Sequence, residues 1–338
     1  MDNKDTLLSI DRIVKHFDIS GGLLDQIGIE NARIVRRRTT VKAVNDVSLD
    51  IYPQETLGVV GESGCGKSTL ARVVLGLYPP NSGRVYFKGS RIDNLNAQEM
   101  LPFRSQMQMI FQDPYASLNP RMTVKRTLEE PAYFHNKAIT ARDAEEKVAL
   151  VMQQVGVEPS WSDRYPHEFS GGQRQRISIA RALIVDPTFI VADEPVSALD
   201  VSIQAQILNL LMDARDERGL TYMFITHDLA VVEHFSTRVA VMYLGTVCEL
   251  APTAAIFETP RHPYTQALTS AIPKLGRAHQ KHISLKGDVP TPIHLPSGCV
   301  FHGRCIHAEE RCQREIPQLI QLDSGGQVAC HGVEEDRL

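Results

Sequence analysis

Short, continuously apolar runs recur along the chain at positions 56–60, 188–192, 222–226 and 239–244, bounded by glycine or polar residues. Runs of this length without polar alternation suit strands covered on both faces. Between them, apolar residues recur at helical spacing over 67–77, 173–183, 202–215 and 229–235. Alternating strands and helices predict an α/β domain on a mostly parallel sheet. A further strand-like run, 8–17, opens the chain. The stretch 113–169 breaks the alternation. Its strand signal is weak and 141–155 is patterned as a helix, so it reads as a helical insertion in the α/β core. After position 250 the composition shifts. Pro252, Pro260, Pro263, Pro273, Pro290, Pro292 and Pro296 interrupt any long element and mark a separate C-terminal region.

Composition narrows the class. The 338 residues include 36 Lys and Arg against 40 Asp and Glu, a formal net charge of −4, which argues against a general nucleic-acid coat protein. With 43% hydrophobic and 22% charged residues, global disorder is excluded. No apolar run approaches the roughly 18–20 residues of a membrane-spanning helix. The opening MDNKDTLLSID lacks the apolar core of a signal peptide. The expectation is a cytosolic protein, unless a partner holds it at a membrane. Residues 21–38, with two glycines at one end and Arg36, Arg37 and Arg38 at the other, read as a surface insertion. The arginine run is either a solvated face or a contact for lipid headgroups or a partner.

The first chemistry-bearing motif is Gly61-Glu62-Ser63-Gly64-Cys65-Gly66-Lys67-Ser68, which fits G-x-x-x-x-G-K-[ST] between a predicted strand and a predicted helix. Glycines let backbone N–H groups curl around phosphate oxygens, and the helix N-terminus adds its positive dipole end. Lys67 supplies a point charge for the β- and γ-phosphates. Ser68 offers a hydroxyl to Mg²⁺, and Thr69 a donor to a nearby phosphate. Cys65 serves through its backbone, although a thiol in such a loop would also sensitise it to oxidation.

The run 189–192 leads into Asp193 and Glu194. Neighbouring strand residues point to opposite faces, so the two acids must do different work. Asp193 is placed to hold Mg²⁺ and Glu194 to polarise the attacking water. Ser170-Gly171-Gly172-Gln173 opens the helix that follows and makes a second anion-binding helix start. With these motifs in this order, the sequence resembles the ATP-binding-cassette (ABC) ATPases over nearly its whole length.

The resemblance implies an α/β P-loop NTPase over residues 7–250. Its RecA-like core would carry an antiparallel β subdomain and a helical subdomain at about 113–178. Residues 251–338 would form a small Cys-containing regulatory or structural extension. Gln112 resembles the Q-loop glutamine, Ser197-Ala198-Leu199-Asp200 the D-loop at a dimer interface, and His227 the switch histidine facing the γ-phosphate. Phe169-Ser170-Gly171-Gly172-Gln173 resembles the signature that closes over ATP held by another subunit, with Phe169 where the family most often has Leu. Phe17 is the candidate for stacking on adenine, with Val41 as an apolar alternative.

Family members in DNA repair and chromosome structure carry long coiled coils or zinc insertions, and translation members carry two cassettes; neither feature is found here. GESGCGKSTL, FQDPYASLN, PVSALDV and RHPYTQA together resemble the ATPases of dipeptide and oligopeptide importers, a subfamily that also imports nickel and glutathione. This implies a peripheral subunit at the cytoplasmic face of the inner membrane. The implied partners are a second, different ABC ATPase, two permeases and an extracytoplasmic binding protein, with no nucleic acid. ATP and Mg²⁺ are the implied ligands.

Of six cysteines, Cys299, Cys305, Cys312 and Cys330 fall in the last 40 residues, spaced C-x5-C-x6-C-x17-C. In a cytosolic chain such a group reads as metal-binding before it reads as disulfides. The lack of a C-x-x-C pair weakens a zinc ribbon, and four irregularly spaced thiolates suit a 4Fe–4S cluster. The resemblance points the same way. Zn²⁺ or uncoordinated thiols are the alternatives, and His302, His307 and His331 leave a mixed Cys/His site open.

Overall fold

A computed structural model describes residues 6–20, 27–30, 33–36, 39–272, 283–323 and 325–338. In chain order the strands are β1 (Leu8–Asp18), β2 (Ile27–Glu30), β3 (Arg33–Arg36), β4 (Thr40–Ile51), β5 (Thr56–Val60), β6 (Ser82–Phe87) and β7 (Ser90–Arg91). They continue as β8 (Met107–Ile110), β9 (Phe189–Asp193), β10 (Thr221–Ile225), β11 (Arg238–Tyr243), β12 (Thr246–Pro252), β13 (Ile320–Gln321) and β14 (Gln327–Val328). The chain divides into two compact units, the first built on residues 51–58 and 94–226, the second on 8–50, 59–93 and 227–338. Strand β5 gives its first three residues to the first unit and its last two to the second.

The first unit carries the sheet order β5-β10-β9-β8. Strand β9 runs parallel to both neighbours, with Phe189 opposite Met107 on one side and Thr221 on the other. Every residue of β9 and β10 is buried, which explains their continuously apolar sequence. The described residues between 113 and 170 form helices and 3₁₀ turns and no strand. Thr123 and Thr140 cap Val124–His135 and Ala141–Gln154 by accepting from the Arg126 and Asp143 N–H groups. These two helices pack against each other and against Gly171–Leu183. Their contact faces are Val124, Leu128 and Ala132, and Ala144, Val148, Val151 and Met152.

The second unit holds two sheets of described strands besides the β2-β3 hairpin. The first has the order β4-β1-β6-β7, with β1 and β6 antiparallel. Its strands are half-buried, so their pattern is weaker than that of β9. The second carries β13-β14-β12-β11-β5. Strands β11 and β12 make a hairpin closed by Leu244 and Gly245, both left-handed at φ 43° and 80°, the geometry whose twist suits a two-residue turn. The C-terminal residues join this sheet: Glu249 pairs with Val328, and the Ala329 N–H donates to the Cys248 carbonyl at 2.8 Å. Tyr243, Tyr264 and Phe301 pack their rings in tilted and edge-on contacts, with centroids 4.8–5.4 Å apart, in its core.

One helix end differs from the sequence reading. The helix expected over 67–77 ends at Val74, because Gly76 takes φ 65° and the Leu77 N–H turns back to the Arg72 carbonyl. The region read as an insertion at 21–38 contains the antiparallel hairpin β2-β3; Arg37 and Arg38 lie outside the described residues. Among the described residues, no helix is long and apolar enough to cross a membrane.

Candidate nucleotide-binding site

The phosphate loop lies in the second unit, where buried β5 delivers the chain into it. Gly64 and Gly66 take φ 79° and 101°. A Cβ on Gly66 would stand 2.0 Å from the Ala43 carbonyl oxygen, so only glycine lets the loop approach that strand. Gly66 opens the helix Lys67–Val74 with no side-chain cap, so no side chain covers this helix start. Lys67 is 4% exposed. Its Nζ donates to the carbonyls of Gly61 (2.7 Å) and Glu62 (3.0 Å) and lies 3.8 Å from Cys65 Sγ. These are dipoles, and among the described residues no carboxylate pairs with this ammonium. Its charge is therefore available to an anion. Ser68 and Thr69 occupy the next two helical positions. Cys65 is 4% exposed, and burial raises its thiol pKa despite nearby Lys67.

Two contacts that sequence reasoning missed also hold this loop. The Glu62 N–H donates to Tyr264 Oη at 3.0 Å. Arg304 donates from both terminal nitrogens to the Glu62 carboxylate, at 2.7 and 3.1 Å. Tyr264 belongs to the R-H-P-Y-T run already singled out, but nothing in the spacing tells that it reaches back 202 residues.

The catalytic candidates of the first unit sit at the ends of its strands. Asp193 is the last residue of β9 and 3% exposed. Glu194 is left-handed at φ 48°, and its N–H donates to the Ile225 carbonyl at 2.9 Å. The two acids therefore diverge through this backbone kink as well as through strand alternation. Gln112, just past β8, donates from Nε2 to Glu194 Oε2 at 3.0 Å, so these two predicted residues are brought together. Ser170 and Gln173 form a capping box on Gly171–Leu183. Gln173 N–H donates to Ser170 Oγ and Ser170 N–H to Gln173 Oε1. A Cβ on Gly172 would meet Ile203 Cγ2 at 2.6 Å. Phe169 is buried behind the box, and Arg174 donates to its carbonyl. Asp200 starts the helix Val201–Arg218 through its backbone carbonyl, which accepts from Ile203 and Gln204.

His227 opens the last segment of the second unit, beside Asp228, which caps Leu229–Phe235. Phe17 is half-buried, with Tyr78 edge-on at 5.4 Å and Lys15 Nζ 4.9 Å from its ring centre. Val41 is half-buried on β4. Among the cysteines, the Cys299 N–H donates to the Cys312 carbonyl at 2.8 Å. Burial pushes the Cys299 thiol up to about 11, with Cys312, Cys330 and Cys305 adding to the effect. The four thiols thus lie within electrostatic reach of one another. Among the described residues, no group of three or more His, Cys, Asp or Glu is placed to hold a metal ion.

A buried strand running into a glycine-hinged loop, with a lysine held over it and a helix start behind it, defines a P-loop nucleotide-binding protein. The family described as "ABC transporter" matches residues 44–197, and that described as "Oligopeptide/dipeptide transporter, C-terminal region" matches 248–312. The oligopeptide transport ATP-binding protein AppF of Bacillus subtilis (strain 168) is 48% identical over 333 residues, 97% of this chain and 98% of its own. The dipeptide transport ATP-binding protein DppF of Haemophilus influenzae is 47% identical, over 92% of this chain and 97% of its own. A dimeric structure of the ATP-binding cassette MJ0796, in a post-hydrolysis state with ADP and Pi, matches with a TM-score of 0.62 and 27% identity, covering 73% of this chain and 98% of that one. The chain belongs to the ABC transporter family and is an ATPase of that family.

Proposed function

We propose that this chain is the ATP-hydrolysing subunit of a peptide importer, held at the cytoplasmic face of the inner membrane by two permeases. A different ABC ATPase completes its dimer, and an extracytoplasmic binding protein presents the cargo. One observation carries the peptide reading. The segment matched by the oligopeptide/dipeptide transporter C-terminal region is built into the same unit as the phosphate loop and bonded to that loop.

The residue roles follow from donor chemistry. Residues 61–69 and Lys67 bind the phosphates of ATP. Ser68, Gln112 and Asp193 are oxygen donors of the kind Mg²⁺ takes, and the ion neutralises charge on the phosphates when bound. Glu194 accepts the proton of the attacking water, with Gln112 orienting its carboxylate. His227 donates to the γ-phosphate. Ser170, Gly171, Gly172 and Gln173 close over ATP bound to the partner ATPase, beside Asp200. Phe17 stacks on the adenine.

Cys299, Cys305, Cys312 and Cys330 hold a 4Fe–4S cluster that pins the proline-rich tail. The irregular spacing of the four cysteines supports this, as does the Cys299 N–H donating to the Cys312 carbonyl at 2.8 Å. Protein purified without oxygen should contain iron and absorb in the visible; colourless, iron-free protein from that preparation would refute the cluster. For the main reading, the chain should co-purify with a pair of bilayer-spanning subunits. Co-purification with nucleic acid or ribosomes instead would contradict it.

A further inference from the structure

The phosphate loop is braced by side chains outside every motif that handles ATP. Glu62, its second residue, is gripped twice. Its peptide N–H donates to Tyr264 Oη at 3.0 Å, and its carboxylate takes both terminal nitrogens of Arg304. The side chain of Arg304 is 9% exposed and that of Glu62 26%, so the pair lies largely out of water. Such bidentate, charge-assisted bonds are strong and fix orientation. Arg304 also lies 5.8 Å from the Tyr243 ring centre, with Nη1 3.5 Å from its hydroxyl.

The brace is anchored. Glu249 on β12 accepts from the Arg261 and His262 N–H groups at 2.8 and 2.9 Å. His262 Nδ1 accepts from the Tyr264 N–H at 3.0 Å and caps the helix Pro263–Ser270. Tyr264 then packs between Tyr243 and Phe301, and Phe301 leads directly into the turn that carries Arg304.

A carboxylate is an awkward residue in a loop that must receive a triphosphate, because like charges at short range repel. Arg304 cancels that charge and fixes its position. We infer that Arg304 and Tyr264 are positioning residues for ATP. Arg304 neutralises Glu62, and Tyr264 holds the Glu62 peptide, so the C-terminal region belongs to the framework of the nucleotide site. The inference rests on the loop binding ATP.

The test measures Mg-ATP affinity of the full-length chain by equilibrium titration, with thermal unfolding recorded alongside. Arg304→Met should weaken ATP binding about tenfold, the equivalent of 1.4 kcal/mol. Glu62→Gln added to Arg304→Met should recover most of that loss, because the stranded negative charge is gone; a purely structural role would not give this rescue. Tyr264→Phe removes one hydroxyl from a ring that stays packed and should weaken binding about fivefold. It keeps the test open if Arg304→Met fails to fold. Arg304→Met or Tyr264→Phe binding ATP as tightly as the unaltered chain would overturn the inference, as would a double variant no better than Arg304→Met. Failure of the unaltered chain to bind Mg-ATP would instead overturn the nucleotide reading beneath it.

Discussion

Gly66→Ala and Gly64→Ala are a matched pair. Both glycines are left-handed, at φ 101° and 79°, so alanine costs about 1–2 kcal/mol of backbone strain at either. The surroundings differ. Nothing lies within 4 Å of a Cβ built on Gly64, whereas one built on Gly66 stands 2.0 Å from the Ala43 carbonyl oxygen. Real Cβ contacts essentially never fall under 3.0 Å, so loop and strand must part by about 1.0 Å, the difference of the two distances. Ala43 is fixed on β4, so the displacement falls on the loop and on the N–H groups that open Lys67–Val74. Losing one or two hydrogen bonds to a charged phosphate, at about 1.5–3 kcal/mol each, costs on the order of 100-fold in affinity. Gly66→Ala should therefore lose roughly 100-fold in Mg-ATP affinity, and Gly64→Ala about tenfold. Equilibrium titration with a fluorescent ATP analogue, on proteins checked for folding by circular dichroism, measures both. Equal losses at the two positions would refute the argument from the Ala43 contact.

Burial lowers the His262 pKa from 6.5 to about 4. The unfolded chain then takes up the proton first as pH falls. The stability from neutral His262 is fully present above about pH 6.5 and lost as pH drops toward 4, on the order of 3 kcal/mol in all. His262→Asn, which keeps a capping side chain, should show a shallower fall in urea-unfolding stability between pH 7 and 5; parallel profiles would contradict this. Ser170→Ala removes the Oγ that accepts from the Gln173 N–H and should cost about 1 kcal/mol of stability. Hydrolysis by the assembled transporter should fall at least tenfold while the isolated chain still binds Mg-ATP. Loss of binding by the isolated chain would show that Ser170 serves the chain's own nucleotide.

Much of this was legible in the sequence because fully buried strands have no solvent face to disguise them. The runs leading to Gly61 and Asp193 stood out for that reason, and the motifs at their ends followed. Strands β4 and β6 were harder to read, since buried, half-buried and exposed residues mix along them without strict alternation. Strands β13 and β14 are two residues each and exist only through pairing, β14 with β12 and β13 with β14. The left-handed turn at Glu194 falls on a residue type that gives no local warning of it. The brace on Glu62 was invisible because its partners lie 202 and 242 residues away.

The two contacts on Glu62 give the C-terminal segment a physical tie to the loop that handles ATP. An importer must couple hydrolysis to cargo, and the central claim is that Glu194 carries that hydrolysis. The most direct test reconstitutes the chain with its co-purified permeases and partner ATPase in liposomes loaded with ATP, and adds peptide and binding protein outside. The account predicts peptide uptake and peptide-stimulated phosphate release, both abolished by Glu194→Gln although that variant still binds Mg-ATP. Phosphate release at near-normal rate from Glu194→Gln, or uptake of nickel or glutathione but no peptide, would contradict it.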